Sequence, residues 1–229
     1  MDFQKLEQEL YDEGVAAIGY ADVSGDVAER YRAFPRAVVL VWRLCDGVFD
    51  EVADMRTPTF SYFQHYRTVN AALDRLTLRI ATLLERDGYR AMPVAASQSV
   101  HDNGPYAGIF PHKTAAVRAG LGWIGKNALF ISPEFGPRVR LATVLTDHPL
   151  AAERVRKEMS VSRCGGCTRC RDACPANAIT GNPFGAGSVR EDLLDPAACS
   201  NYMKKAYQQI GRGAVCGICA SVCPYGQRK

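Results

Sequence analysis

The sequence has no apolar run approaching the roughly 20 residues needed to cross a bilayer, which excludes a membrane-spanning helix. Its opening, MDFQKLEQEL, has neither the basic stretch nor the apolar core of an export signal. It has no low-complexity segment and no internal repeat beyond two cysteine runs, which sets aside collagen-like and coiled-coil architecture. An unexported, cytoplasmic protein with no membrane partner is expected. What is there is ordinary for a globular chain: 229 residues, 47% apolar and 23% charged. That length supports one or two domains with a full hydrophobic core.

The net charge is +4, and it is uneven: residues 150–229 carry 12 basic and 6 acidic side chains. A basic third ordinarily suggests nucleic acid. The same third also holds eight of the nine cysteines, at 164, 167, 170, 174, 199, 216, 219 and 223. Without an export signal, clustered cysteines favour metal over disulfides. Eight thiolates on two 4Fe–4S cores of charge 2+ would bring the formal charge to about zero, so the basic balance says little about nucleic acid.

The first run, Cys164-x2-Cys167-x2-Cys170-x3-Cys174-Pro175, has the spacing of bacterial ferredoxins. The second is Cys216-x2-Cys219-x3-Cys223-Pro224, with Cys199 upstream. In two-cluster ferredoxins the fourth cysteine of each run ligates the other cluster. The expected sets are therefore Cys164, Cys167, Cys170 and Cys223 for one cluster, and Cys174, Cys199, Cys216 and Cys219 for the other. The two-residue gaps let backbone amides turn toward a cluster, and each proline stops the turn from continuing as helix. The alternative is two zinc sites of four thiolates each; the triple CxxCxxC and the two Cys-Pro endings favour clusters. Cys45, after an apolar run, reads as a half-buried thiol.

Along the chain, Phe3, Leu6 and Leu10 share a helical face over 3–13, and Gly14 stops the helix. Residues 15–20 and 37–42 read as strands, and 43–58 as a loop. A long helix is expected over 59–87, from Phe63, Tyr66, Val69, Leu73, Leu76, Ile80 and Leu83. Residues 89–95 look like a strand despite Pro93. Residues 97–112 form a polar, Gly/Pro-punctuated loop of the length that is often functional. A short helix is expected over 113–119. Strands at 127–132 and 138–146 are joined by a turn at 134–137, which predicts a hairpin.

Residues 120–125, Gly-Leu-Gly-Trp-Ile-Gly, literally match the dinucleotide fingerprint. That motif needs a strand before it and a helix after it; here the order is reversed, so nicotinamide binding is rejected. Gly120 reads as a helix C-cap before a tight turn. Alternatively, the glycines let the backbone approach a flat, large cofactor.

Residues 115–149, AAVRAGLGWIGKNALFISPEFGPRVRLATVLTDHP, together with CGGCTRCRDACPANAI and VCGICASVCPYGQ, resemble the epoxyqueuosine reductases and corrinoid reductive dehalogenases. The resemblance covers about 60–229, with the helix around Tyr66 corresponding as well. It implies an α/β domain of nitroreductase-like, cobalamin-binding type over 1–155. A small ferredoxin-like double 4Fe–4S domain would follow over 156–229, feeding electrons to the cobalt. Flavin is the alternative cofactor, since nitroreductase-like folds commonly hold one. The sequence departs from the epoxyqueuosine reductases in three ways. Ala95, in Val94-Ala95-Ala96-Ser97, stands where epoxyqueuosine reductase has a catalytic acid. The HDNGPYAG loop is inserted. The sequence stops just after the second Cys-Pro, as a short form without the helical-repeat region that helps hold tRNA. The twin-arginine signal usual in the dehalogenases is also missing.

A reductive step consumes protons, so a donor must face the cobalt. Asp102 is the first candidate, because a carboxyl desolvated over a macrocycle has a raised pKa; Asp102-Asn103-Gly104 also reads, and reads better, as a plain turn. His101 and Tyr106 are further candidates, and His101 is alternatively a cobalt ligand. Candidate cofactor contacts are Tyr66, Gly120, Gly122, Trp123, Gly125, Lys126, Asn127, Arg138 and Arg140. Lys126 reads equally as a surface lysine, and Trp123 better as core. Arg138 and Arg140, alternating on a strand, either pair with acids or reach the cofactor's nucleotide tail. Three functions remain open. One is a reductase of a small-molecule substrate. Another is an electron-transfer partner that reactivates the corrinoid of another redox protein. The third, disfavoured, is a tRNA-acting reductase.

Overall fold

The structure is a computed structural model that describes residues 2–100, 104–150 and 157–227. The chain forms two compact units, each assembled from three stretches: Met1–Arg43, Thr68–Leu121 and Arg140–Met159 in one; Leu44–Arg67, Gly122–Val139 and Ser160–Lys229 in the other. The units therefore interleave along the chain, whereas two consecutive domains, 1–155 and 156–229, were expected. Segments 44–67 and 122–139 group with the cysteine region.

The first unit is built on a four-stranded sheet of order β1-β2-β6-β3, from β1 (Ala17–Asp22), β2 (Arg36–Arg43), β3 (Ala91–Val94) and β6 (Val139–Thr146). Strand β1 pairs antiparallel with β2, from Ala17 opposite Val41 to Asp22 opposite Arg36. The last pair is closed by an ion pair of 2.9 Å. Strand β3 runs antiparallel to β6, and Pro93 faces Val144. An edge strand tolerates that proline because its missing N–H costs no central ladder bond. Helix α1 (Phe3–Asp12) starts where the Asp2 carboxylate accepts the amides of Gln4 and Lys5. It buries Leu6 and Leu10. Helix α4 (His112–Arg118) ends at Gly120 with left-handed backbone (φ 69°), and Leu121 donates to the Ala116 carbonyl. Gly19 of β1 makes room for that end, since a Cβ there would meet Ala119 at 2.6 Å.

Helix α3 (Phe60–Arg86) has the expected span, and the unit division falls within it. Two local expectations are corrected. Residues 43–58 are not all loop: α2 (Asp46–Met55) buries Asp46, Phe49 and Val52. Their i, i+3, i+6 spacing was the available signal; the weak start, a Cys45 N-cap without a side-chain bond followed by Gly47, masked it. The 127–132 and 138–146 segments do not form the expected hairpin. Strand β5 (Phe130–Ile131) pairs instead with β4 (Trp123–Ile124), and β6 joins the four-stranded sheet. The GWIGKN stretch is thus one arm and turn of a tight hairpin, closed by the Gly125 amide on the Leu129 carbonyl.

The second unit holds this hairpin, α2, the start of α3 and the cysteine loops. Among the described residues no helix is long and apolar enough to cross a membrane.

Candidate metal centre

In the second unit each cysteine run ends in a one-turn helix: α5 (Arg169–Asp172) carries Cys170 and α7 (Ile218–Ser221) carries Cys219. Helix α6 (Pro196–Ala206) carries Cys199. It starts at Asp195, whose carboxylate accepts the Ala198 amide, with Pro196 in the first turn. The turns aim amides at sulfur as the spacing predicts. Ala178 donates to Cys174 Sγ at 3.4 Å, and backbone hydrogen bonds at Arg171, Ile218 and Tyr225 favour the thiolates of Cys170, Cys216 and Cys223.

The cysteines of the two runs come close to one another. Burial pushes the Cys223 thiol up to about 11, and its sulfur neighbours are Cys164, Cys170 and Cys167, all from the other run. Burial likewise raises Cys216 to about 11, with Cys199 and Cys174 acting on it. Cys219 is raised further, by burial and then by Cys216, Cys199, Cys170 and Cys174. Thiolates packed this way repel one another and are poorly solvated, so they need a compensating cationic core. Cys164, Cys167, Cys170 and Cys223 line a single open pocket. Among the described residues no three His, Cys, Asp or Glu converge on one point as ligands of a single ion do. Four cysteines lining one pocket suit a multi-iron cluster, and the chemistry of both donor sets is that of an iron–sulfur centre.

The β4–β5 hairpin braces these loops. Lys126 is 8% exposed, not a surface lysine, and Nζ donates to the Cys167 carbonyl at 3.2 Å. Asn127 is buried; its Oδ1 accepts the Leu129 amide, and its Nδ2 makes a long 3.5 Å contact to the Cys219 carbonyl. One turn thus touches both cysteine runs. Gly122 and Gly125 face the hairpin itself, where a Cβ would meet the Ile131 carbonyl at 2.1 Å and Asn127 Oδ1 at 2.8 Å. Trp123 is buried, edge-on to Tyr225 at 4.9 Å, with Arg163 over its face. Tyr66, on α3, lies 6.3 Å from the ring of Tyr62. The 134–137 turn and the segment after Pro224 cross at glycines: a Cβ on Gly136 would meet the Tyr225 carbonyl oxygen at 2.0 Å. Pro224, Tyr225 and Arg169 also line the first cavity, a role that sequence reading missed because their neighbours along the chain do not show it.

The two arginines divide. Arg138, in the second unit, is buried and reaches Asp46 and Asp50 at 3.4 and 3.3 Å, over the Phe49 ring. Arg140, in the first unit, donates to Asn70 Oδ1 at 2.8 Å and to the Ala96 carbonyl at 3.0 Å. Cys45 is exposed, not half-buried. Tyr106 is 41% exposed, with left-handed backbone (φ 59°). His101 and Asp102 lie outside the described residues.

Arg140 belongs to a half-buried network around Ala95 and Ala96, in which Asp74 is exposed. The Asp74 carboxylate accepts the Ala96 amide at 2.7 Å. His112 contacts the Ala95 carbonyl through Nε2 and Thr143 Oγ1 through Nδ1, both at 2.9 Å. A carbonyl only accepts, so Nε2 carries a proton. Burial pushes His112 down to about 4, against the pull of the Ala95 bond. The unfolded ring therefore binds a proton near pH 6.5 that the folded ring refuses, and stability falls as pH drops through that window. Chemical denaturation of the reconstituted protein should show about 2 kcal/mol more loss between pH 6.5 and 5 for wild type than for His112→Gln. Parallel pH profiles would remove His112 as the cause.

The two cysteine runs form an iron–sulfur domain of double-cluster type: residues 163–226 match the 4Fe-4S double cluster binding domain. The chain is a homologue of two kinds of reductase. It is 35% identical over 147 residues to the epoxyqueuosine reductase of Synechocystis sp., covering 60% of this chain and 45% of that one. It is 30% identical over 236 residues to a tetrachloroethene reductive dehalogenase of Desulfitobacterium hafniense, covering 97% of this chain and 39% of that one. The chain thus spans less than half the length of either relative. Two solved structures share the fold. A reductive dehalogenase described as B12-dependent aligns with TM-score 0.72 and 20% identity over 97% of this chain and 31% of its own. The epoxyqueuosine reductase from Streptococcus thermophilus aligns with TM-score 0.58 and 17% identity over 100% of this chain and 67% of its own.

Proposed function

We propose that the protein is a reductase in which two 4Fe–4S clusters pass electrons to a bound corrinoid, cobalamin, for a reductive reaction on a small molecule, the first unit being of nitroreductase-like type. The observation that carries this reading is the union of crossed cysteine sets with a fold shared with reductive dehalogenases and epoxyqueuosine reductases. When bound, the clusters supply one-electron transfer and the corrinoid supplies a metal that accepts electrons. This chain's own part is to bind and orient. The cysteines hold the clusters, backbone amides stabilise the thiolates, and Lys126 with Asn127 fixes the loops that carry Cys167 and Cys219. Trp123, Arg138 and Arg140, carried over as corrin contacts, are engaged within the protein in this chain.

One observation favours a second reading, a protein that only passes electrons, for example to the corrinoid of another protein. Position 95 bears no acid, and the backbone groups of Ala95 and Ala96 are taken up by His112, Arg140 and Asp74. A flavin finds no support among the relatives and neighbours named above.

Anaerobic reconstitution with iron, sulfide and cobalamin separates the two. Stoichiometric cobalt with a base-off absorption spectrum is expected for the reductase. An iron-loaded chain that takes up no cobalt would overturn the corrinoid reading and leave the electron carrier.

A further inference from the structure

We infer that the Lys126 ammonium makes the two clusters unequal, holding the cluster of Cys164, Cys167, Cys170 and Cys223 at the higher reduction potential so that it takes the first electron. The inference rests on the double-cluster reading above. Lys126 sits in the turn between β4 and β5 and lines the same cavity as these four cysteines. It is nine-tenths buried, and its one described polar contact is the neutral Cys167 carbonyl. Among the described residues no carboxylate pairs with it. A buried ammonium without a counter-ion is costly, and such charges are retained where an opposite charge compensates them.

The cavity supplies that charge when filled. Four thiolates around a core of charge 2+ carry a net charge of minus two, which becomes minus three when the core takes one electron. No bond forms or breaks and no proton is required; the electron comes from a low-potential donor such as dithionite. A nearby cation in a poorly solvated setting stabilises the more negative form and so raises the potential. Arg169 lines the cavity as well, but it is exposed and its charge is screened.

Asp195, at the start of the helix that carries Cys199, is exposed, so its charge is screened as that of Arg169 is. The split thus rests on the buried Lys126 ammonium beside the first set.

The test is a redox titration with dithionite, followed by electron paramagnetic resonance, on the reconstituted full chain with iron counted in every variant. Lys126→Gln is expected to lower one midpoint by a factor of about ten in the reduction equilibrium, about 59 mV for a one-electron couple, and to leave the other in place. Lys126→Arg is expected to keep both. Unchanged midpoints in an iron-replete Lys126→Gln protein overturn the inference, as does an arginine variant shifted as far as the glutamine one. If the glutamine variant loses iron, the single-cluster variants decide. Cys174→Ala, which keeps the cluster beside Lys126, is expected to titrate at the higher midpoint and Cys164→Ala, which keeps the other, at the lower; equal or reversed midpoints overturn the inference. A wild-type chain that binds zinc in place of iron overturns the double-cluster reading itself, and this inference with it.

Discussion

Alanine at Cys223 is expected to remove the same cluster as alanine at Cys164, although the two lie in different cysteine runs. Each variant should fall from about eight to about four irons per chain, and the surviving cluster should give the same paramagnetic spectrum in both. Cys174→Ala and Cys216→Ala should also fall to about four irons but leave the other spectrum. The grouping follows from which sulfurs act on which: Cys164, Cys170 and Cys167 on Cys223, and Cys199 and Cys174 on Cys216. Cys45→Ala is the control, because that thiol is exposed and belongs to neither set. If each cluster were instead held within one run, Cys223→Ala would match Cys216→Ala. That pattern would contradict the crossed sets.

Arg138→Met should be the most damaging substitution outside the cysteines. Arg138 is 4% exposed, and its guanidinium faces Asp46, which is almost as buried, at 3.4 Å. Removing the cation leaves the Asp46 carboxylate buried without its charge partner, which costs about 3–5 kcal/mol in such settings. Asp50, the second partner, has an exposed side chain, so Asp50→Asn should cost no more than about 1 kcal/mol. The pair Arg138→Met with Asp46→Leu should recover much of the loss, because a well-packed apolar pair often replaces a buried ion pair at little cost. Chemical denaturation of the reconstituted protein measures all three. A single Arg138→Met loss below about 1 kcal/mol would mean that the pair does not hold α2 in place.

The cysteine chemistry was legible in the sequence because it is local. Spacing, Cys-Pro endings and a crossed ligand rule suffice to write both sets as an expectation, and Cys223 stands among cysteines of the other run. Helices α1 and α3 and strands β2 and β6 were legible for a similar reason, since each keeps one period over at least two turns or six residues. The misses are non-local. Helix α2 depends on burying Asp46, Phe49 and Val52, not on a strong start signal. The pairing of β5 with β4 was hidden because strands of two residues carry no period, and the Glu134–Pro137 turn looked like the better hairpin. Lys126 was undecided between surface and cofactor; only the fold shows that it meets Cys167. The network of His112, Arg140, Asn70 and Asp74 joins three separate elements, and no local pattern announces it.

The most direct measurement is the iron, acid-labile sulfide and zinc content of the anaerobically reconstituted full chain, with its paramagnetic spectrum after dithionite reduction. About eight irons and eight sulfides per chain, with two distinguishable reduced clusters, is the expected result. About two zincs per chain and no sulfide would show the eight cysteines to be structural metal sites and would contradict the electron-transfer function.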